Sequence, residues 1–336
     1  MKRMYQLPEL KKTTHLNAVA ILTSGGDSPG MSPAIRSITR AALNQGIRVF
    51  GINRGYSGLI IGDMTELHTA DVSNIVQRGG TILKSDRCEA FKDPVVRNQA
   101  AEILREHGID ALIVIGGDGS MPRAHLLSQE TGIAVIGLPG TIDNDVFGTD
   151  DTIGFDTAVN TALEAIDKIR DTAISHERIF LVEVMGRNSG HIASQVGVAC
   201  GAEMIIVPEY EFKLEALCFT LANERAAGKG SSGIIVVAEG PKPGLTYRLA
   251  HRLEEHGERP GVCILGHIQR GGRPTGHDRV LASCLGAAAV GYLQAGFTDI
   301  MIGVENNQIA TVPLRLMDQK KLLNPQLVEL AQLLHK

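Results

Sequence analysis

The chain has 336 residues, 43% of them hydrophobic and 21% charged, with a formal net charge of −4. That length exceeds the roughly 100–200 residues of a typical domain and points to two domains, while charge of both signs spread along the chain excludes a dedicated nucleic-acid surface. Five cysteines, at 88, 200, 218, 263 and 284, form no C-x-x-C pair, which argues against a disulfide framework or zinc site and for reduced thiols in the cytoplasm.

Residues 1–16 are basic without an apolar core and read as a short surface extension; no later apolar run approaches the length of a membrane span. A-V-A-I-L at 18–22 reads as a buried strand, T-S-G-G-D-S-P-G-M at 23–31 as a glycine loop, and 33–44 as a helix. Strand, glycine loop, helix is the order of a phosphate cradle: Gly25, Gly26 and Gly30 let the backbone approach an anion, and the helix directs free N–H groups toward it. No G-K-[ST] ending follows, so this is not a Walker loop, and a glycine turn without a ligand fits the stretch alone equally well. Residues 48–52 form a second strand, N-R-G-Y-S-G at 53–58 a turn, 79–87 a further glycine pair with Arg87 nearby, and 97–107 a helix.

A-L-I-V-I at 111–115 is the clearest strand, and G-G-D-G-S at 116–120 leads into a helix running to about 130. Its glycines offer backbone donors to phosphates, and Asp118 is placed to hold a bridging Mg²⁺; a purely structural glycine turn needs no acid. The apolar run 134–138 ends in L-P-G-T-I-D-N-D at 138–145. If that segment stays extended, Thr141, Asp143 and Asp145 fall on one side, a hydroxyl beside two carboxylates suited to general-base and metal work in phosphoryl transfer. The competing reading is a solvated Asn/Asp turn bonded to its own backbone.

Beyond it, 157–174 has helical spacing, 179–184 is a strand leading to M-G-R-N-S-G at 185–190, a helix of small residues runs to 200, and 204–208 is a strand. Helix 214–227, strand 233–238 and helix 246–256 continue the alternation, which means parallel sheets flanked by helices with right-handed crossovers. Strand 262–265 ends in G-H-I-Q-R-G-G-R at 266–273, where His267, Arg270 and Arg273 suit an anion; a histidine satisfying backbone groups beside solvated arginines fits as well. No histidine stands in an H-E-x-x-H frame.

Together S-G-G-D-S-P-G-M, I-G-G-D-G-S, P-G-T-I-D-N-D, V-M-G-R and G-H-I-Q-R-G-G resemble the signature segments of ATP-dependent 6-phosphofructokinases over roughly residues 18 to 312. The resemblance implies two Rossmann-like three-layer α/β domains with mainly parallel sheets and the active site in the cleft between them. The expected division is 1–153 with about 270–320 for ATP, and 154–269 with about 321–336 for fructose 6-phosphate. By motif, Asp143 is similar to the general base that takes the proton from the sugar's 1-hydroxyl, with Thr141, Ile142 and Asp145 beside it and Asp118 as the Mg²⁺ ligand. Gly26, Arg87, Cys88, Gly117, Asp118, Gly119 and Ser120 would cradle ATP, Cys88 standing where many members have an aromatic residue.

Met185, Gly186, Arg187, Glu239, His267 and Arg270 resemble the sugar-phosphate contacts, and Arg178 an arginine sent from a neighbouring subunit of a homotetramer. A second such arginine usually precedes the motif histidine by six residues; here that place is Gly261, and Arg259 would reach the same anion if Pro260 and Gly261 form a tight bend. Arg36, Arg40, Arg170, Glu203 and Lys229 resemble an effector site for ADP or phosphoenolpyruvate, but Thr69 replaces an effector arginine, so a weak or altered response is expected. Pyrophosphate-dependent members typically carry an aspartate at 119 and a lysine at 140; Gly119 and Gly140 favour ATP by leaving the nucleotide room. The alternatives are a pyrophosphate-dependent enzyme or a catalytically weak sugar-phosphate sensor of the same fold.

Overall fold

The computed structural model describes residues 5–212, 217–218 and 232–334. The chain divides into two compact units, Met1–Asp156 with Arg270–Lys321, and Thr157–Gln269 with Leu322–Lys336. The expected helix over 214–227 lies almost wholly outside the described residues.

The first unit holds strands β1 (Ala18–Ser24), β2 (Arg48–Ile52), β3 (Met64–Glu66), β4 (Ala111–Gly116), β5 (Ala134–Pro139), β10 (Ile300–Glu305) and β11 (Gln308–Pro313). Among the described residues they form one sheet in the order β11-β10-β5-β4-β1-β2-β3. Its centre is parallel and its edges, β2 with β3 and β10 with β11, are antiparallel. β1 shows why the middle strands read as unbroken apolar runs: both faces are covered. Val19 and Ile21 pack with Ile35 and Ile38 of helix α1 (Met31–Leu43) and with Leu281 and Leu285 of a long helix, Gly276–Gln294. Ala18, Ala20 and Leu22 face the other layer, with Tyr56 and Leu59 of α2 (Gly55–Ile60), Leu104 of α3 (Pro94–Glu106) and Leu127 of α4 (Met121–Thr131). Apolar side chains alternate between the layers with the two-residue period of the strand.

The second unit begins within helix α5 (Phe155–His176) and contains β6 (Ile179–Val184), α6 (His191–Ala199), β7 (Met204–Ile206), β8 (Gly233–Ala238), α7 (Leu245–Glu255) and β9 (Gly261–Ile264). Its sheet, β7-β8-β6-β9, is parallel throughout. Ile179, Leu181, Ile235 and Val237 pack with Leu249 and Leu253 of α7. The chain then returns to the first unit through α8, the long helix Gly276–Gln294, and ends in the second with α9 (Pro325–Leu334). Both units are thus helix-covered, mainly parallel sheets, as the alternation predicts.

Three local expectations change. The predicted turn at 53–58 is the start of α2; a Cβ at Gly58 would lie 1.7 Å from the Asn53 carbonyl oxygen, so glycine is what lets this short helix close. The N-terminal extension is not merely surface chain. Tyr5 is 4% exposed, its N–H donates to Asn307 O at 3.3 Å, and the N–H groups of Thr13 and Thr14 donate to Gln294 O at 2.8 and 3.0 Å. Finally, Pro260-Gly261 forms no tight bend, because Gly261 is already the first residue of β9.

Candidate active site

Three loops of the first unit leave adjacent strands at matched heights: Ser24 of β1 is in register with Gly116 of β4, and Gly116 with Pro139 of β5. The carboxyl ends of a parallel sheet are where ligands of such folds bind. The buried Ser120 hydroxyl donates to Ser24 Oγ at 2.9 Å, joining the first two loops. Behind them the Tyr56 hydroxyl donates to Ser120 O at 3.0 Å while its ring stacks on Phe91 with centroids 4.1 Å apart. Asp118 is exposed, and its Oδ1 accepts from the Gly119 N–H at 2.7 Å. Around a side chain at Gly119 the space is open.

The 79–87 segment joins the same loops. Gly25 N–H donates to Asp86 O at 3.2 Å, the Ser85 hydroxyl donates to Gly25 O at 2.8 Å, and a Cβ at Gly79 would lie 2.2 Å from Gly272 O. Arg87 is exposed beside this tie and Cys88 is buried. A Cβ at Gly26 would be 3.1 Å from Arg270 Nη1, so the Arg270 guanidinium lies against the first glycine loop.

The segment after β5 does not stay extended, which corrects the alternate-side expectation for Thr141, Asp143 and Asp145. The Asp143 N–H donates to Thr141 Oγ1 at 3.2 Å and Asn144 is left-handed at φ 52°, so the chain bends between the two carboxylates. Asp143 and Asn144 are each 5% exposed and Ile142 is buried. The turn is held on both sides: the Gly140 N–H donates to Gly116 O at 2.9 Å, and the Thr152 hydroxyl to Thr141 O at 2.7 Å. A side chain at Gly140 has no room, since its Cβ would lie 2.8 Å from Ile115 Cγ2 and 3.1 Å from Met31 Cε. The direction of a side chain is thus open at Gly119 and filled by packed side chains at Gly140.

In the second unit a matching group gathers at the carboxyl ends of β6 and β8, where Val184 and Ala238 are in register. The buried Met185 gives its N–H to Gln269 Oε1 at 2.8 Å, Arg187 gives its N–H to Glu239 Oε1 at 2.7 Å, and the Glu239 N–H donates to Val184 O at 2.9 Å. Gly186 (φ 139°) and Arg187 (φ 53°) make the reversal between them. His267, exposed, stands in the 3-10 turn Gly266–Arg270 that follows β9. Arg178 and Arg259 are not brought to this group: both are exposed and precede β6 and β9, at the amino-terminal ends of those strands.

The expected effector residues fall in both units. Arg36 and Arg40, one turn apart on α1, line a hollow of about 630 Å³ together with Thr69. Arg170 pairs with Glu203 at 3.9 Å and donates to Cys200 O at 2.6 Å. Lys229 lies outside the described residues. Sequence reasoning passes over Tyr56, Gln269 and Lys321. Gln269 is at least inside a motif, whereas nothing in the local sequence of Lys321 marks it.

Among the described residues no cluster of three or more His, Cys, Asp or Glu side chains is arranged to hold a metal. Magnesium is commonly bound through one or two carboxylates with the substrate's phosphates completing the sphere, so a single exposed aspartate in a glycine loop suits it. No helix of the described residues is long and apolar enough to cross a membrane.

The sequence profile of the Phosphofructokinase family matches residues 18–293. An ATP-dependent 6-phosphofructokinase 2 of Bacteroides thetaiotaomicron is 50% identical over 302 residues, covering 89% of this chain and 92% of that protein. An ATP-dependent 6-phosphofructokinase 1 of Thermus thermophilus is 50% identical over 321 residues, 95% of this chain and 99% of the other. Among solved structures, phosphofructokinase from Saccharomyces cerevisiae superposes with a TM-score of 0.84 at 36% identity, covering 90% of this chain and 45% of the yeast chain, so this chain spans less than half of that one. A pyrophosphate-dependent phosphofructokinase from Marinobacter aquaeolei, at 23% identity, shares the fold with a TM-score of 0.80 over 92% of this chain and 86% of its own.

Proposed function

The chain belongs to the phosphofructokinase family, and on that premise we propose that it transfers the γ-phosphoryl group of ATP to the 1-hydroxyl of fructose 6-phosphate through the residues described above. The observation that carries the assignment of roles is the convergence of three loops at matched strand ends in the first unit, two rich in glycine and one bearing the buried Asp143. Phosphoryl transfer asks little covalent chemistry of a protein and much positioning and charge balance, which is what such loops supply.

The donor phosphates rest on the backbone of Gly26 and of Gly117, Gly119 and Ser120, with Arg87 and Arg270 meeting the charge that moves onto the transferred group. Open space at Gly119 leaves room for the rest of a nucleotide, which supports ATP over pyrophosphate. Asp118 would hold Mg²⁺, which when bound neutralises charge on the phosphates. The acceptor is held by Met185, Gly186, Arg187, Glu239 and His267, with the Arg187–Glu239 bond fixing the loop that presents it. Asp143, 5% exposed and held in the turn with Thr141, accepts the proton of the 1-hydroxyl as the oxygen attacks, while Thr141 and Asp145 steady the phosphoryl group.

The exposed Arg178 is assigned to the sugar phosphate of a neighbouring subunit in a homotetramer, and the Arg36–Arg40 hollow to a phosphorylated effector such as ADP or phosphoenolpyruvate. The work is that of a cytoplasmic glycolytic enzyme. A steady-state assay with fructose 6-phosphate and Mg²⁺ tests the reading: turnover with ATP and little with pyrophosphate is expected, and comparable kcat/KM for the two donors would refute it.

A further inference from the structure

Asn144 separates Asp143 from Asp145 and takes a left-handed conformation, φ 52°, which asparagine adopts more readily than most residues and which local hydrogen bonds hold in place. Two contacts do so. Asn144 Nδ2 donates to Asp150 O at 3.2 Å, and Asn144 Oδ1 accepts from the ammonium of Lys321 at 2.9 Å. The same ammonium donates to Asp150 O at 2.7 Å, so one cation closes a ring through the Asn144 carboxamide and the chain six residues on. The preceding residue joins in, since Lys320 pairs with Val146 in an antiparallel bridge. Lys321 is also the last residue of the first unit before the chain passes into the second.

We propose that Lys321 is a positioning residue for phosphoryl transfer: its ammonium clasps Asn144 and Asp150 and thereby fixes the backbone bend that sets the directions of the Asp143 and Asp145 carboxylates. It touches neither substrate in this account; it acts through Asn144. Its setting supports the role. Lys321 is half-buried, and burial pulls its pKa down to about 8 against the opposing pull of Asp151, Asp150 and Asp145, so a charged lysine is kept there at neutral pH at a desolvation cost. An ammonium held at such a cost, and bonded to both the Asn144 carboxamide and the Asp150 carbonyl, has a local task.

The inference rests on the reading of this turn as the catalytic one. Its test is a cycle of variants, Lys321→Met, Asn144→Gly and the two together, with kcat and both KM values measured; glycine keeps the left-handed backbone accessible and deletes only the carboxamide. A misplacement of catalytic groups by a fraction of an ångström to an ångström costs up to about a hundredfold in rate, so each single variant is expected to lose roughly ten- to a hundredfold in kcat with each KM within about threefold. The double variant is expected to lose no more than about threefold beyond the worse single, because both break one link. Retention of parental kcat by Lys321→Met, or losses that multiply in the double variant, would overturn the proposal. Asn144→Gly reads the same link from the other side if Lys321→Met does not fold, and parental kcat in it would overturn the proposal equally. If Asp143→Asn were to keep its activity, the general-base assignment would fall while the coupling between Lys321 and Asn144 still reports on whichever group of the turn acts.

Discussion

A Cβ at Gly261 would lie 2.4 Å from the ring of Phe180, the residue opposite it in the β6–β9 register, so a side chain there would displace a packed aromatic. An arginine at this place would therefore require the Phe180 ring on the adjacent strand to move. The register suggests what replaces it. Arg178 stands two residues before Phe180 and Arg259 two before Gly261, so both arginines precede the paired residues at the same end of the two parallel strands. Paired strands lie about 4.8 Å apart, and long arginine side chains entering neighbouring strands from the same end are candidates to serve one phosphate. A charge-assisted bond to phosphate is worth about 1.5–3 kcal/mol, so Arg259→Ala is expected to raise the fructose 6-phosphate KM by roughly ten- to 150-fold with the ATP KM little changed. A KM within about twofold of the parent would show that Arg178 and His267 hold the phosphate without it.

At the scale of elements, the parts legible in the sequence are those whose burial is complete. Strands at 18–22, 111–115 and 134–138 read as apolar runs because helices cover both faces of the sheet, and the loops after them read as phosphate loops because glycine and acid follow directly. The edge strands Met64–Glu66 and Gln308–Pro313 carry no such run, being half-exposed, and go unread; Ile300–Glu305 goes unread although four of its six residues are buried. The bend at Asn144 is likewise invisible locally, since the lysine that clasps it is 177 residues away. So is the anchoring of the N-terminal segment, which fixes itself to α8 and the β10–β11 hairpin through pairs distant in sequence. There the Tyr5 hydroxyl meets His277 Nε2 at 3.4 Å and His277 Nε2 meets Asp151 Oδ2 at 2.9 Å, with Gln6 bridged to Gln308. The hydrogen bond to Asp151 raises the His277 pKa above its ordinary 6.5 against desolvation, with Asp156 and Asp278 adding to the rise. A group whose folded pKa is raised lends stability that is fully present below its unfolded pKa and is lost as pH climbs through the folded value. The Tm difference between the parent and His277→Gln is thus expected to be larger at pH 6 than at pH 8; an equal difference at both would mean that the imidazolium–carboxylate pair does not fasten this segment.

At the scale of the whole molecule, periodicity predicts two parallel-sheet units but not the path between them. The chain crosses at 156–157, returns at 269–270 and crosses again at 321–322, and no composition shift or linker marks those points. Two of the three crossings lie beside residues given proposed roles above: Arg270 opens the returning segment and Lys321 closes it. The second unit presents Met185, Arg187 and Glu239 as one hydrogen-bonded group, the first presents the glycine loops and Asp143 as another, and the proposed reaction needs both. The proposed reaction depends most directly on Asp143. A positioned general base contributes about two to four orders of magnitude to rate, so kcat of Asp143→Asn, measured with ATP, Mg²⁺ and fructose 6-phosphate at saturation, is expected to fall by about that much with both KM values nearly unchanged. A kcat within about threefold of the parent would contradict the account.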